Sequence, residues 1–296
     1  MIPQLGAISP GGRKVLAQGL ATIGFVVLGK ALLDHGIQGA GGGGGIDAIA
    51  YLTAAQHLAG GLPLYEAGVG TFTAYTYPPP LAQMLLPVSG LPIPVFVWGW
   101  RVLELLGLRM AVRSWALSGI VLLVFPPVIA EIDAANVHLI MAAVCTLAMR
   151  GLAAPIAPTA MLKFASVALV PLAWLRDRRG LLIGIVPTLI VIALSVFLDP
   201  KLWSDYAAYL GRAEFPSGWY NLAAGIPLIA RLVVAGVVSI LAVRWVRLAP
   251  VAVLLAYPVV WFHGLSTLVS VVAPMPRRVD LPSQHTTRPD WMRMRP

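Results

Sequence analysis

Charge is the scarcest thing in this chain. Asp, Glu, Lys and Arg make up 11% of its 296 residues, against about 25% in a soluble domain. Hydrophobic residues make up 58%, and the mean hydropathy is +0.83. That balance excludes an ordinary water-soluble globule and points to an integral membrane protein. Alternation of apolar and polar residues over runs of roughly ten is also missing, which argues against a membrane β-barrel and for helices. The single cysteine, Cys145, falls in an apolar run, so neither a disulfide framework nor a CxxC metal site exists. There is no Walker A motif, no HExxH, no Ser-His-Asp pattern and no GxGxxG between a strand and a helix. Lys and Arg are absent altogether between Asp34 and Tyr75.

That last gap orients the chain. Cationic residues collect in cytoplasmic loops, which accounts for the net charge of +9 without nucleic acid. Arg13 and Lys14 place the start of a first helix, about Val15 to Leu33, on the inner side. This segment imitates a signal peptide, but the polytopic chain behind it makes it a retained helix. Lys30, near its outer end, can snorkel. The cation-free loop of about 34–76 then lies outside. Its glycine run, Gly41 to Gly45, has no GK[ST] after it, and a flexible joint is the better reading than a phosphate cradle.

The rest of the chain reads as an all-α, polytopic transmembrane bundle of about eight crossings plus one re-entrant hairpin. After Tyr77 a proline-dense segment is expected to cross as a broken helix, ending at Arg101, Arg109 and Arg113. Helices of about Trp115 to Ile129 and Val137 to Met149 flank the polar stretch Glu131–Asn136. Gly151 to Leu175 has cations at both ends and Lys163 in its middle, which suits two short re-entrant helices with Lys163 at the tip. A crossing of about Leu181 to Leu198 leads to a second outer loop, 199–221, rich in aromatics suited to an interface. Leu222 to Val243, Ala249 to Val260 and Leu265 to Ala273 complete the bundle, the last two being short enough to form one long helix instead. The membrane domain thus covers 1–276, and 277–296 is a polar tail expected to be disordered.

The polar residues expected near the outer face are Asp47, Tyr51, His57, Glu66, Tyr75, Tyr77, Glu131, Asp133, Asn136, His138, Arg212 and His263, with Lys163 reaching toward them. Asp47 reads equally as a general base at the bilayer edge and as an acid that favours the positive end of its helix. Glu66 reads better as a solvated loop acid, and His57 as a packed histidine. Glu131 and Asp133 lie about 200° apart around a helix, so they face different sides and make a poor metal pair. His138 and His263 are candidates to line one cavity.

One block carries a resemblance. IDAIAYLTAAQHLAGGLPLYE (Ile46–Glu66) followed by TYPPPLAQMLLPV (Thr76–Val88) is similar to the first outer loop of the polyprenol-phosphate-sugar-dependent glycosyltransferases of family 87. AANVHLI (Ala134–Ile140), LKFASVALVPLAWLRDRR (Leu162–Arg179) and YPVVWFHGL (Tyr257–Leu265) resemble later stretches of that family in the same order. In them Ala135, His138, Phe164 and Tyr257 replace the family's usual residues. The resemblance implies a GT-C fold in the plasma membrane, with a cytoplasmic N-terminus and the active site outside. It implies a membrane glycosyltransferase that moves a sugar from a polyprenyl phosphate to a glycan or glycolipid, with inversion and Asp47 as the base.

On that reading the substrate contacts come from Tyr51, Tyr65, Tyr77, Asn136, His138, Lys163, Arg212 and His263, with Lys163 and Arg212 facing the leaving phosphate. Membrane lipid, donor and acceptor are the partners. No cofactor is implied, and a divalent metal stays open. The alternatives are a multi-pass transporter or lipid flippase, and a shortened, inactive relative, since the chain is short for such an enzyme. A transporter predicts a repeat between halves and facing charges at mid-membrane. No repeat and no second intramembrane acid is evident from the sequence.

Overall fold

The computed structural model describes residues 9–36, 44–66, 74–212 and 221–275. All regular structure in them is helical, apart from one isolated antiparallel bridge between Asn221 and Trp261. Helix α1 (Pro10–His35) starts where the Ser9 hydroxyl accepts the Gly12 N–H at 3.1 Å, and buries a stripe of Ala21, Gly24, Leu28 and Leu32. Helix α2 (Ile46–Ala59) carries Asp47 in its first turn. Helix α3 (Pro79–Leu85) passes through a 3-10 turn, Leu86–Val88, and folds back by 119° into α4 (Ile93–Val112). Helices α5 (Trp115–Val124) and α6 (Pro126–Ala134) meet at 100°. The break falls at Phe125, where the following proline bars a continued helix.

Helix α7 (His138–Met149) is the central element, with every residue buried except Ile140 and Leu147. Beyond it, α8 (Ile156–Ala160), the 3-10 segment Phe164–Leu169 and α9 (Val170–Arg176) lead to α10 (Arg178–Leu198) and α11 (Pro200–Gly211). Helix α12 (Leu228–Ala242), a 3-10 turn at Val246–Leu248, α13 (Ala249–Leu255) and a 3-10 segment, His263–Val272, close the described chain.

Small residues set the tightest seam. Gly24 and Gly119 lie backbone against backbone between α1 and α5, where a Cβ on Gly119 would overlap Ala21 and one on Gly24 would overlap Gly119. Close approach through small residues is how helices pack without a hydrophobic drive between them. Large apolar side chains meanwhile face outward, among them Phe197 (81% exposed) and Ile229 (77%), which marks a surface made for something other than water.

By length and composition α1 and α10 can each cross a membrane. The bent pairs α3–α4 and α5–α6 bring the total to four if each pair is one span. The remaining apolar segments, including α7, α12 and His263–Val272, are shorter than a bilayer crossing. The membrane class is therefore supported, with two to four spans by length and composition; eight crossings are not shown. Prolines and bends divide what the hydropathy joins.

Several local expectations change. The outer loop of 199–221 is helical over Pro200–Gly211, because Asp199 accepts the Leu202 N–H at 3.0 Å and proline suits the first turn. Gly44 and Gly45 are buried rather than a loose joint; Gly45, at φ 84°, begins α2 and donates its N–H to the Asp133 carbonyl at 2.6 Å. Gly41 to Gly43, Glu214, Trp219, Tyr220 and the tail 277–296 lie outside the described residues. The last two crossings do not fuse into one helix, since Ala256–Phe262 separates them. The 151–175 stretch does form short helical pieces that meet at Lys163.

Candidate functional site

The Tyr77-Pro78-Pro79 turn and α2 bring a tyrosine cage together. Tyr51 and Tyr77 share a hydroxyl–hydroxyl bond of 2.7 Å, and both hydroxyls reach the Asn136 side-chain oxygen, at 3.2 and 3.1 Å. Asn136 holds that oxygen in place by accepting the Val137 N–H at 2.8 Å, while its carbonyl accepts the Trp100 indole N–H at 2.5 Å. Tyr65 stands one layer out. Its hydroxyl donates to the Tyr77 carbonyl at 2.9 Å, and its ring packs with Tyr75, Tyr206 and Tyr209.

Below this cage lies a buried ionisable chain. Glu131, at the end of α6, accepts the His138 backbone N–H at 2.6 Å on one oxygen and pairs with His138 Nδ1 at 2.7 Å on the other. The carboxylate thus caps α7 and fixes its first side chain. His138 Nε2 in turn meets Lys163 Nζ at 2.9 Å. A protonated amine can only donate there, so Nε2 is the acceptor and Nδ1 carries the hydrogen toward Glu131. Glu104 on α4 is buried on the same side and accepts the Leu139 N–H at 3.1 Å on one oxygen, while its other oxygen has no hydrogen-bond partner among the described residues. His263 approaches from the other side, 3.3 Å from the Asn136 amide nitrogen and with its ring 5.3 Å from that of His138.

Asp47 closes the site from α2. It retains some solvent contact, yet burial pushes its carboxyl from 3.8 up to about 7. Lys163 pulls the value down, Glu131 pushes it up, and a hydrogen bond from Asn136 lowers it again. A carboxylate poised there exchanges protons near neutrality, as a general base must.

Of the residues singled out in the sequence, Asp47, Tyr51, Tyr77, Asn136, His138, Lys163 and His263 converge, with Glu131 joining them. His138 is fully buried, with its Nε2 on the Lys163 amine. Arg212 does not join them: it is exposed at the end of α11, with Nε on the Ala208 carbonyl at 3.2 Å. His57 bonds the Pro63 carbonyl through Nδ1 at 3.2 Å, consistent with a packed residue, and Glu66 is exposed. Glu131 and Asp133 do face different sides. Asp133 pairs with His35 at 2.8 Å and Arg101 at 3.2 Å, tying α1, α4 and α6 together.

Glu104 was missed. It is the one charged residue in the apolar run VLELLGL, and an isolated acid in such a run is itself a signal. It also corrects the expectation of no second buried acid, since Glu104 and Glu131 are both 0% exposed.

Glu131, His138 and His263 place one ligand atom each within 4.8 Å of one another, a grouping that metal ions use. Here both Glu131 oxygens are already engaged by His138, and the Lys163 amine occupies His138 Nε2. The positive charge of this centre is therefore an ammonium in the structure's own hydrogen-bond scheme. No family model, curated protein or solved structure matches the chain.

Proposed function

We propose that this chain is a membrane glycosyltransferase that takes a sugar from a polyprenyl phosphate and passes it to a glycan or glycolipid hydroxyl with inversion. The observation that carries the reading is the half-buried Asp47 carboxyl, pushed up to about 7, beside the Lys163 amine under a tyrosine and asparagine cage. Inverting displacement needs one base on the face opposite the leaving group, and Asp47 supplies it: its carboxylate takes the acceptor hydroxyl proton as the oxygen attacks the anomeric carbon. The leaving phosphate needs positive charge more than an acid, and Lys163 supplies that, held by the Glu131–His138 pair. The finer topology belongs to this proposal: about eight crossings, a cytoplasmic N-terminus, and the Asp47 loop on the outer side of the plasma membrane.

The test is transfer from radiolabelled polyprenyl-phosphate sugars in membranes carrying the wild type or Asp47→Asn. Wild-type transfer that rises as pH climbs through about 7, and that drops by about 10²-fold or more in the variant, is expected. Undiminished transfer by Asp47→Asn sinks the assignment, and no transfer from any donor by folded wild type favours the inactive relative.

A transporter is the second reading, favoured by one observation: Glu131, His138 and Lys163 form a hydrogen-bonded chain of ionisable groups, and a second buried acid, Glu104, stands on α4. It predicts uptake or proton movement in vesicles that Glu104→Gln abolishes and Asp47→Asn leaves standing.

A further inference from the structure

Helix α10 carries a feature that shares no residue with the polar cluster. A shallow, largely open and mainly apolar groove of about 690 Å³ runs along its first turns, lined by Arg178, Arg179, Leu182, Ile183, Val186 and Pro187 of this one helix. Cations stand at one end and apolar side chains along the rest, the pattern of an amphiphile with an anionic head.

We propose that this groove binds one anionic glycerophospholipid, its phosphate on Arg178 and Arg179 and an acyl chain along Leu182, Ile183 and Val186. The proposal takes α10 as a membrane span, for which its length and apolarity qualify it. Leu182, Ile183 and Val186 are 44%, 57% and 57% exposed, so the groove faces the surroundings of the bundle.

The head end is built for charge. The Arg178 guanidinium lies 4.2 Å from the Trp174 ring centroid, which holds it in place while leaving its N–H groups available, and Trp174 is itself exposed as interfacial tryptophans are. Neither Arg178 nor Arg179 forms an ion pair among the described residues. The nearest acid in sequence, Asp177, is turned to the Ala153 and Gly180 N–H groups, both at 2.9 Å. Arg176 is spent on the Met149 carbonyl at 3.2 Å.

At the far end Pro187 cannot donate to the Ile183 carbonyl, which interrupts the regular helix wall. The opposite face of α10 is packed, with Gly184 against the Ala154 backbone, so the groove belongs to the outward side. Two guanidinium groups without acidic partners favour a lipid of net negative charge. In a zwitterionic lipid the choline offsets the phosphate, and the selectivity falls.

The test is lipid enrichment by the purified full chain in vesicles of phosphatidylcholine containing phosphatidylglycerol, read by mass spectrometry of the retained lipid. Wild type is expected to retain phosphatidylglycerol over phosphatidylcholine. Arg178→Gln/Arg179→Gln is expected to lose about tenfold of that preference, and Val186→Trp, which fills the groove and leaves the arginines, to lose total retention. Arg244→Gln, another exposed cation, is the control and should behave as wild type. Equal retention of both lipids by wild type overturns the proposal, as does an equal loss in Arg244→Gln. Neither outcome touches Asp47 or sugar transfer, so this proposal and the glycosyltransferase reading fail separately.

Discussion

Helices α7 and α10 are both apolar, and hydropathy alone treats them alike. In the fold α7 is buried nearly all round, from His138 to Met149, while α10 buries only Leu181, Gly184, Thr188 and Ser195 along its 21 residues. Around α7 every neighbour is protein, so a glutamate, a histidine and a lysine can sit together because each has a partner. Around α10 the outward face meets no other part of the described chain, and polar groups there are confined to the ends or bonded back, as Thr188 Oγ1 is to the Gly184 carbonyl at 2.8 Å. The same apolar composition serves as an enclosing wall in one case and as an outer surface in the other.

The largest expected effect comes from breaking the enclosed side. Glu131→Ala removes the α7 cap and the His138 partner together and leaves Lys163 without its fixed acceptor. A loss of about 3–5 kcal/mol is expected for breaking one member of a buried charged set, read as a steep fall in thermal unfolding temperature in detergent. Retention of wild-type stability would mean that the chain of bonds around α7 is not structural.

The outer side is tested by Ile190→Arg, a position 54% exposed on α10. If that face meets lipid, the arginine costs about 2.5–3.5 kcal/mol near the centre of the helix, and membrane integration falls in a glycosylation-tag assay. An unchanged yield of integrated protein would place that face in water or against another protein.

The third effect concerns the border between the two environments, at Asp47. Its folded carboxyl is raised from 3.8 to about 7, so the folded state holds a proton that the unfolded chain releases at lower pH. Stability therefore falls as pH rises from about 4 to 7, and the full penalty is present above 7. Asp47→Asn carries no such penalty and should be more stable than wild type at pH 8, an advantage that shrinks toward pH 4. A thermal-shift series in which the two proteins stay parallel across that range would remove burial as the cause.

Asp47, Tyr51 and Tyr77 were legible as candidates because each is polar within an apolar surround, and Lys163 because a lysine between two proline-bearing apolar stretches needs a partner. The identity of that partner was not legible. His138 lies 25 residues from Lys163, and Glu131 reaches His138 only because Ala135, at φ 55°, turns α6 into α7. Arg212 looked equally suited to a phosphate, yet α11 carries it to the surface. Sequence position sets no limit on where a helix end points.

The apolar composition alone made this chain helical and membrane-bound in class, since a backbone that cannot bond to water must bond to itself. The candidacy of Asp47 and Lys163 likewise follows from sequence. Which of these groups are enclosed and which apolar faces turn outward was decided by the bends at Ser89–Pro92 and Phe125 and by the glycine seam of α1 on α5. Those features join residues far apart in the chain, and only packing determines which helix faces become neighbours.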